Sequence, residues 1–134
     1  MMGDVVIRIV DMTPLKTLVL AFVRADQTPV RIDVADIAAI TVVKNTDIHS
    51  LHMKNGDTHF AVAGPATDTL AHMDAKTISM RAPFGDAVYI VADAIESIGP
   101  NAQCAEDSIR VNVTGGHRLA VLGQQKDLFQ KLAR

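Results

Sequence analysis

Apolar and polar residues change places in short runs along this chain, and the runs come in the same order twice. T-L-V-L-A-F-V-R-A (Thr17 to Ala25) is rich in strand formers. D-Q-T-P then reads as a turn, and V-R-I-D-V alternates with the period of a half-buried strand. About 58 residues later the chain offers T-I-S-M-R-A, then P-F-G-D, then A-V-Y-I-V. Ile37 and Ile40 correspond to Ile95 and Ile98. Each pair precedes a hairpin pattern with a glycine turn, an Ala-Val step, a glycine (Gly64, Gly123) and a short helical pattern.

The expected fold is therefore α+β. It is a predominantly antiparallel sheet built from two tandem β-rich repeats of ~58 residues, each ending in a short α-helix. Residues 1–16 form an N-terminal strand (5–11) and a connector, followed by repeat one at 17–75 and repeat two at 76–134. Whether residues 13–23 run as helix or strand is open at this level, because Thr13-Pro14 is also a helix-opening signal. A unit of roughly 60 residues is close to the lower limit for an independent core, and M-D-A-K-T is no linker. The two copies are thus expected to pack as a single domain, 1–134, with pseudo-twofold symmetry.

In the first helix Pro65 suits an opening turn, and Leu70 and Met73 share a face. In the last, Leu128, Phe129 and Leu132 fall on one side, while Lys131 and Arg134 complement the negative end of the helix dipole.

The first hairpin raises a question of chemistry. It reads L-H-M-K-N-G-D-T-H-F-A-V (Leu51 to Val62), and Asn55-Gly56 is a strong signal for a two-residue turn. That register sets Lys54 opposite Asp57, Met53 opposite Thr58, His52 opposite His59 and Leu51 opposite Phe60. Leu51, Met53, Phe60 and Val62 would face a core. His52 and His59 would be cross-strand partners on the polar face, with Cβ atoms about 5 Å apart. Two imidazoles so placed are a candidate pair of metal ligands, with Asp57 on the same face as a third donor. The alternative is an ordinary solvated sheet surface.

Composition narrows the classes. The chain has 134 residues, 49% of them hydrophobic, which is material for a real core. With four Phe, one Tyr and no Trp, a stacking platform for bases is not expected. Thirteen Lys and Arg against fifteen Asp and Glu give a net charge of −2, so charge does not support nucleic-acid binding. The single cysteine, Cys104, excludes an internal disulfide and suits a reducing compartment. The opening M-M-G-D-V-V-I-R-I-V is not a secretory signal, and the run Leu18 to Val23 is far short of the ~20 residues of a membrane span. The expectation is a cytoplasmic protein with no membrane association.

No phosphate-loop, zinc-protease, Cys-x-x-Cys or nucleophile-elbow motif occurs. Thr114-Gly115-Gly116 reads as the second hairpin turn rather than a phosphate cradle. Arg81 and Phe84 flank a turn in R-A-P-F-G and are the candidate partner-binding residues.

The order Ile37, Ile40, a spacer, Leu51, Met53, Asn55, Gly56, then Val62 and a short helix resembles the opening half of LytTR-type DNA-binding domains. It is also similar to the small flagellar FlbD-like proteins. The resemblance spans roughly forty residues of each copy. For the LytTR type it implies DNA binding through a late basic segment, which has no counterpart here. The functional expectation is a non-catalytic binding or interaction module that needs no cofactor. It self-associates through its sheet edges and meets an unknown protein partner. The alternatives are a nucleic-acid-binding regulator, or a small-molecule or metal-binding protein with a pocket between the repeats.

Overall fold

The computed structural model describes residues 8–12, 17–23, 29–83, 87–100 and 108–133. Strands β1 (Arg8–Met12), β2 (Thr17–Val23) and β3 (Pro29–Asp33) make one antiparallel sheet in the order β1-β2-β3. Residues 17–23 are thus strand, as their β-branched and aromatic content favours. The chain then turns through a 3₁₀ segment, Val34–Asp36, into β4 (Ile37–Val42), β5 (His49–Met53) and β6 (Thr58–Val62). Helix α1 (Ala66–Leu70) follows.

The next stretch repeats that order of elements. Strands β7 (Thr77–Arg81) and β8 (Ala87–Val91) lead through a second 3₁₀ segment, Ala92–Ala94, into β9 (Ile95–Pro100). Then come β10 (Ser108–Val113), β11 (His117–Leu122) and helix α2 (Gln125–Leu132). Pairing does not repeat in the same way. Strands β9 to β11 form their own sheet, β11-β10-β9, whereas β4 to β6 join β7 and β8 in a five-stranded sheet, β6-β5-β4-β8-β7. The architecture is mostly antiparallel sheet with two short helices, as expected. Each 3₁₀ segment is the corner at which the chain leaves one sheet for the next.

The five-stranded sheet packs a core on each of its faces, while its edge strands β6 and β7 keep exposed residues. Ala39, Val88, Ile90, Ile78 and Met80 pack with Ile109, Val111, Val113, Leu119 and Val121 of the β9–β11 sheet, and with Leu128 of α2. Their sequence neighbours point the other way, as pleating requires. Ile40, Leu51, Met53 and Val62 pack there with Ile32 of β3, Val34 and Ala66 of α1.

Helix α2 is eight residues long, too short to hold itself in water. Leu128 is fully buried and contributes about 1.5–3 kcal/mol, which docks it. Phe129, expected on the same packed side, is instead 56% exposed. Lys131 stands in the last turn, as expected. From there its Nζ also donates to the Ser79 carbonyl of β7 at 2.9 Å, tying the helix to the sheet. Arg134 lies outside the described residues.

The first hairpin corrects the expected register. A two-residue turn needs positive φ at both Asn55 and Gly56. Only Gly56 has it (φ 100°). Asn55 Oδ1 accepts from Asp57 N–H at 2.9 Å instead, and Met53 N–H donates to Asp57 O at 2.8 Å. The loop is therefore three residues, Lys54 to Gly56. The cause lies at the corner: Lys54 N–H donates to Asp36 O at 2.7 Å, so it is not available to close the hairpin against Asp57. The β10–β11 hairpin has the same loop length, and Thr114 N–H donates to Ala94 O at 2.8 Å. A one-residue slip turns every side chain of a strand over. His52 consequently pairs with Thr58, and His59 with Leu51. Further along β6, a bulge with Ala61 at φ 57° keeps Val62 buried and leaves Phe60 68% exposed rather than in the core.

The two hairpin tips touch. A Cβ on Gly115 would sit 2.5 Å from Met53 O, and Gly115 itself has φ 99°. Gly116, at φ 80°, has open space around it. Gly115→Ala is expected to cost about 2 kcal/mol or more, and Gly116→Ala about 1–2 kcal/mol from backbone strain alone. Urea denaturation of the two variants checks the order; equal losses would show that the tip contact carries no weight.

Candidate functional site

Strands β10 and β11 read S-I-R-V-N-V and H-R-L-A-V-L. Ile109, Val111, Val113, Leu119 and Val121 are buried, so alternation sends Arg110, Asn112, Arg118 and Ala120 to the outer face. The register brings them together. Asn112 stands between Ser97 of β9 and Arg118 of β11, and Arg110 between Gly99 and Ala120. Arg110 and Arg118 are thus diagonal neighbours across one strand pair, with Cβ atoms roughly 7 Å apart, well within reach of two long side chains.

Arg110, Asn112 and Arg118 line an open depression of about 340 Å³, together with Glu96, Ser97, Gly116 and His117. At Gly99 a Cβ would lie 3.3 Å from the Arg110 guanidinium, so the missing side chain gives that group its place over β9. Asn112 Nδ2 donates to Ser97 Oγ at 2.8 Å. Its Oδ1 is buried and has no hydrogen-bond partner among the described residues. Turning the amide over exchanges the roles of its two atoms but still leaves one polar atom unpaired at the floor. An orphan of that kind is costly unless something fills it.

His117 closes the inner end. Its Nε2 donates to Met53 O at 2.7 Å, so in the neutral ring Nδ1 is left as an acceptor. The ring stands edge-on to His52, centroids 5.2 Å apart at 65°. His52 Nε2 bonds Thr41 Oγ1 at 3.0 Å on the neighbouring strand. Burial, with the His117 ring acting the same way, pushes His52 down to about 4.

A further imidazole, His49, is 1% exposed on the opposite face of β5. Its Nδ1 donates to Gly64 O at 2.8 Å, and its Nε2 pairs with the Thr69 hydroxyl at 3.2 Å. Burial holds it below its ordinary value, against the pull of the Gly64 carbonyl. It fastens α1 to the sheet.

The structure therefore brings His52 to His117, not to His59. His59 shares its pairing with Leu51, so it projects from the opposite face to His52. No group of three or more His, Cys, Asp or Glu suited to a metal occurs among the described residues. Arg81 ends the edge strand β7 and is exposed. Phe84 and Cys104 lie outside the described residues. No helix among the described residues is long and apolar enough to cross a membrane. Sequence reasoning missed the Arg110, Asn112 and Arg118 face. The available signal was polar alternation in β10 and β11, which becomes a cluster only once the register is known. No protein-family model matches this chain, and no significant match is found among curated proteins or solved structures.

Both perturbed histidines have folded values below the unfolded 6.5. Between the two values the unfolded chain binds more protons, so stability rises with pH there. It is fully present above about pH 6.5 and is lost as pH falls through that value toward 4. Urea midpoints at pH 7.5, 5.5 and 4.5 should fall in that order, and His52→Gln should flatten the slope between about pH 6.5 and 4. A midpoint indifferent to pH would contradict the assignment.

Proposed function

We propose that this protein is a non-catalytic binding module, and that the outer face of β9–β11 holds a small polar ligand. The observation carrying this is the convergence of Arg110, Arg118 and His117 around Asn112, whose buried Oδ1 is unpaired among the described residues. The depression lies within the ordinary size range of about 300–1,000 Å³ for ligand sites. Two contacts support binding over catalysis. Ser97 Oγ is engaged by Asn112 rather than by an imidazole, and His117 Nε2 is engaged by a backbone carbonyl.

The module works in the cytoplasm, and the two halves of the chain, 17–75 and 76–134, descend from one repeat and are related by a pseudo-twofold axis. The matching corner contacts, Lys54 to Asp36 and Thr114 to Ala94, support that descent. So do the matching bulges, Ile37–Ala39 against β5 and Ile95–Ser97 against β10. Among the described residues β1, β3, β6, β7, β9 and β11 end their sheets, and pairing of such edges between copies would make the module a homo-oligomer. A second reading, nucleic-acid binding, draws on the same convergence of Arg110 and Arg118 from separate strands.

Native mass spectrometry of gently purified protein tests the first reading. A bound small molecule is expected on the wild type and not on Arg110→Gln/Arg118→Gln, and the same spectrum gives the subunit number. A bare wild-type mass, or a ligand retained by the double variant, would count against this face.

A further inference from the structure

We propose that the depression takes a phosphorylated polyol, a small molecule with one phosphate group and several hydroxyls; this rests on the binding reading above. The phosphate follows from the two arginines. A guanidinium presents a planar fork of donors that matches a phosphate in two-point contact. Arg110 and Arg118 stand as diagonal neighbours over the same hollow, so one phosphate can meet both forks. Among the described residues, no hydrogen bond or ion pair engages either guanidinium.

The hydroxyls follow from the rest of the lining. Glu96 can only accept hydrogen bonds when ionised, and it would repel a bare anion that filled the whole hollow. A ligand whose far end carries hydroxyl donors satisfies it. Asn112 lines the same hollow, and a small rotation of its side chain would offer its unpaired, buried amide atom to such a hydroxyl, whichever way the amide is turned. A hydroxyl is the common ligand group with both capacities. A base or other flat aromatic group has no support. Among the described residues the one ring in the lining is His117, already fixed edge-on to His52 and bonded to Met53 O.

The interaction can be read by ¹H–¹⁵N NMR titration of the full chain. The probes are glucose 6-phosphate, glycerol 3-phosphate and inositol 1-phosphate, with glucose and inorganic phosphate as controls. At least one sugar or polyol phosphate is expected to move the amides of Arg110, Asn112, Gly116 and Arg118 saturably. Glucose should bind at least tenfold more weakly than the ester that binds, and inorganic phosphate should shift the same amides more weakly than that ester. Arg110→Gln and Arg118→Gln should each weaken binding about tenfold or more. Both side chains are exposed, so the melting temperature should stay put and report an intact fold.

Glucose binding as tightly as its phosphate would overturn the proposal while leaving the hollow a ligand site. No saturable shift from any of the three esters overturns it as well. The binding reading then stands only if native spectra show another ligand lost in the double arginine variant, and otherwise falls with it. Steeply salt-dependent binding of a single-stranded oligonucleotide at these amides, in place of the esters, would overturn it in favour of nucleic acid.

Discussion

The carbonyl oxygen of Met53 holds the two hairpins together. It accepts the Gly56 N–H that closes its own turn at 3.0 Å, and the His117 Nε2–H from the other hairpin at 2.7 Å. A carbonyl has two lone pairs, and both have partners here. Gly115 must lie flat against the same oxygen for this to happen, which no residue with a Cβ could do without displacement. From this point the contacts run outward on both sides. Lys54 ties the first tip to the corner at Asp36, Thr114 ties the second to Ala94, and His117 is set at the inner end of the arginine-lined hollow.

That arrangement explains which parts of the molecule were legible in the sequence. The individual strands were readable because alternation is a local property, and V-R-I-D-V or A-V-Y-I-V suits a half-buried strand. The repeating order of elements was readable for the same reason. The turn at Asn55-Gly56 was misread because its local preference yields to a tertiary hydrogen bond. Nothing near Lys54 in sequence announces that its N–H goes to Asp36. One slipped residue then moved His59 to the opposite face and brought Thr58 opposite His52. The site was illegible at a different level. Arg110 and Arg118 lie in separate strands, and only the pairing of Asn112 with Arg118 makes them one surface.

The buried imidazoles show how differently one residue type can serve. His49 has both ring nitrogens satisfied, one by the Gly64 carbonyl and one by the Thr69 hydroxyl, so its burial is structural and complete. His52 sits between Thr41 and the His117 ring, at the seam of two sheets. A proton on His52 would put charge into that seam beside a second imidazole, which is why the neutral form is favoured there.

The pairing of β4 with β8 has a further consequence for how the chain reaches its native state. The middle sheet draws strands from both parts of the sequence, so neither part is a finished object. Ile40 meets Tyr89 only after roughly 50 intervening residues have been laid down. During synthesis β4 therefore emerges with one ladder of backbone groups open, and β5 and β6 can protect only the other side. A newborn first segment is a sticky half-sheet until its partner strand arrives. The middle sheet is complete only when β8 has paired with β4, so the first three of its strands wait on a later stretch of the chain.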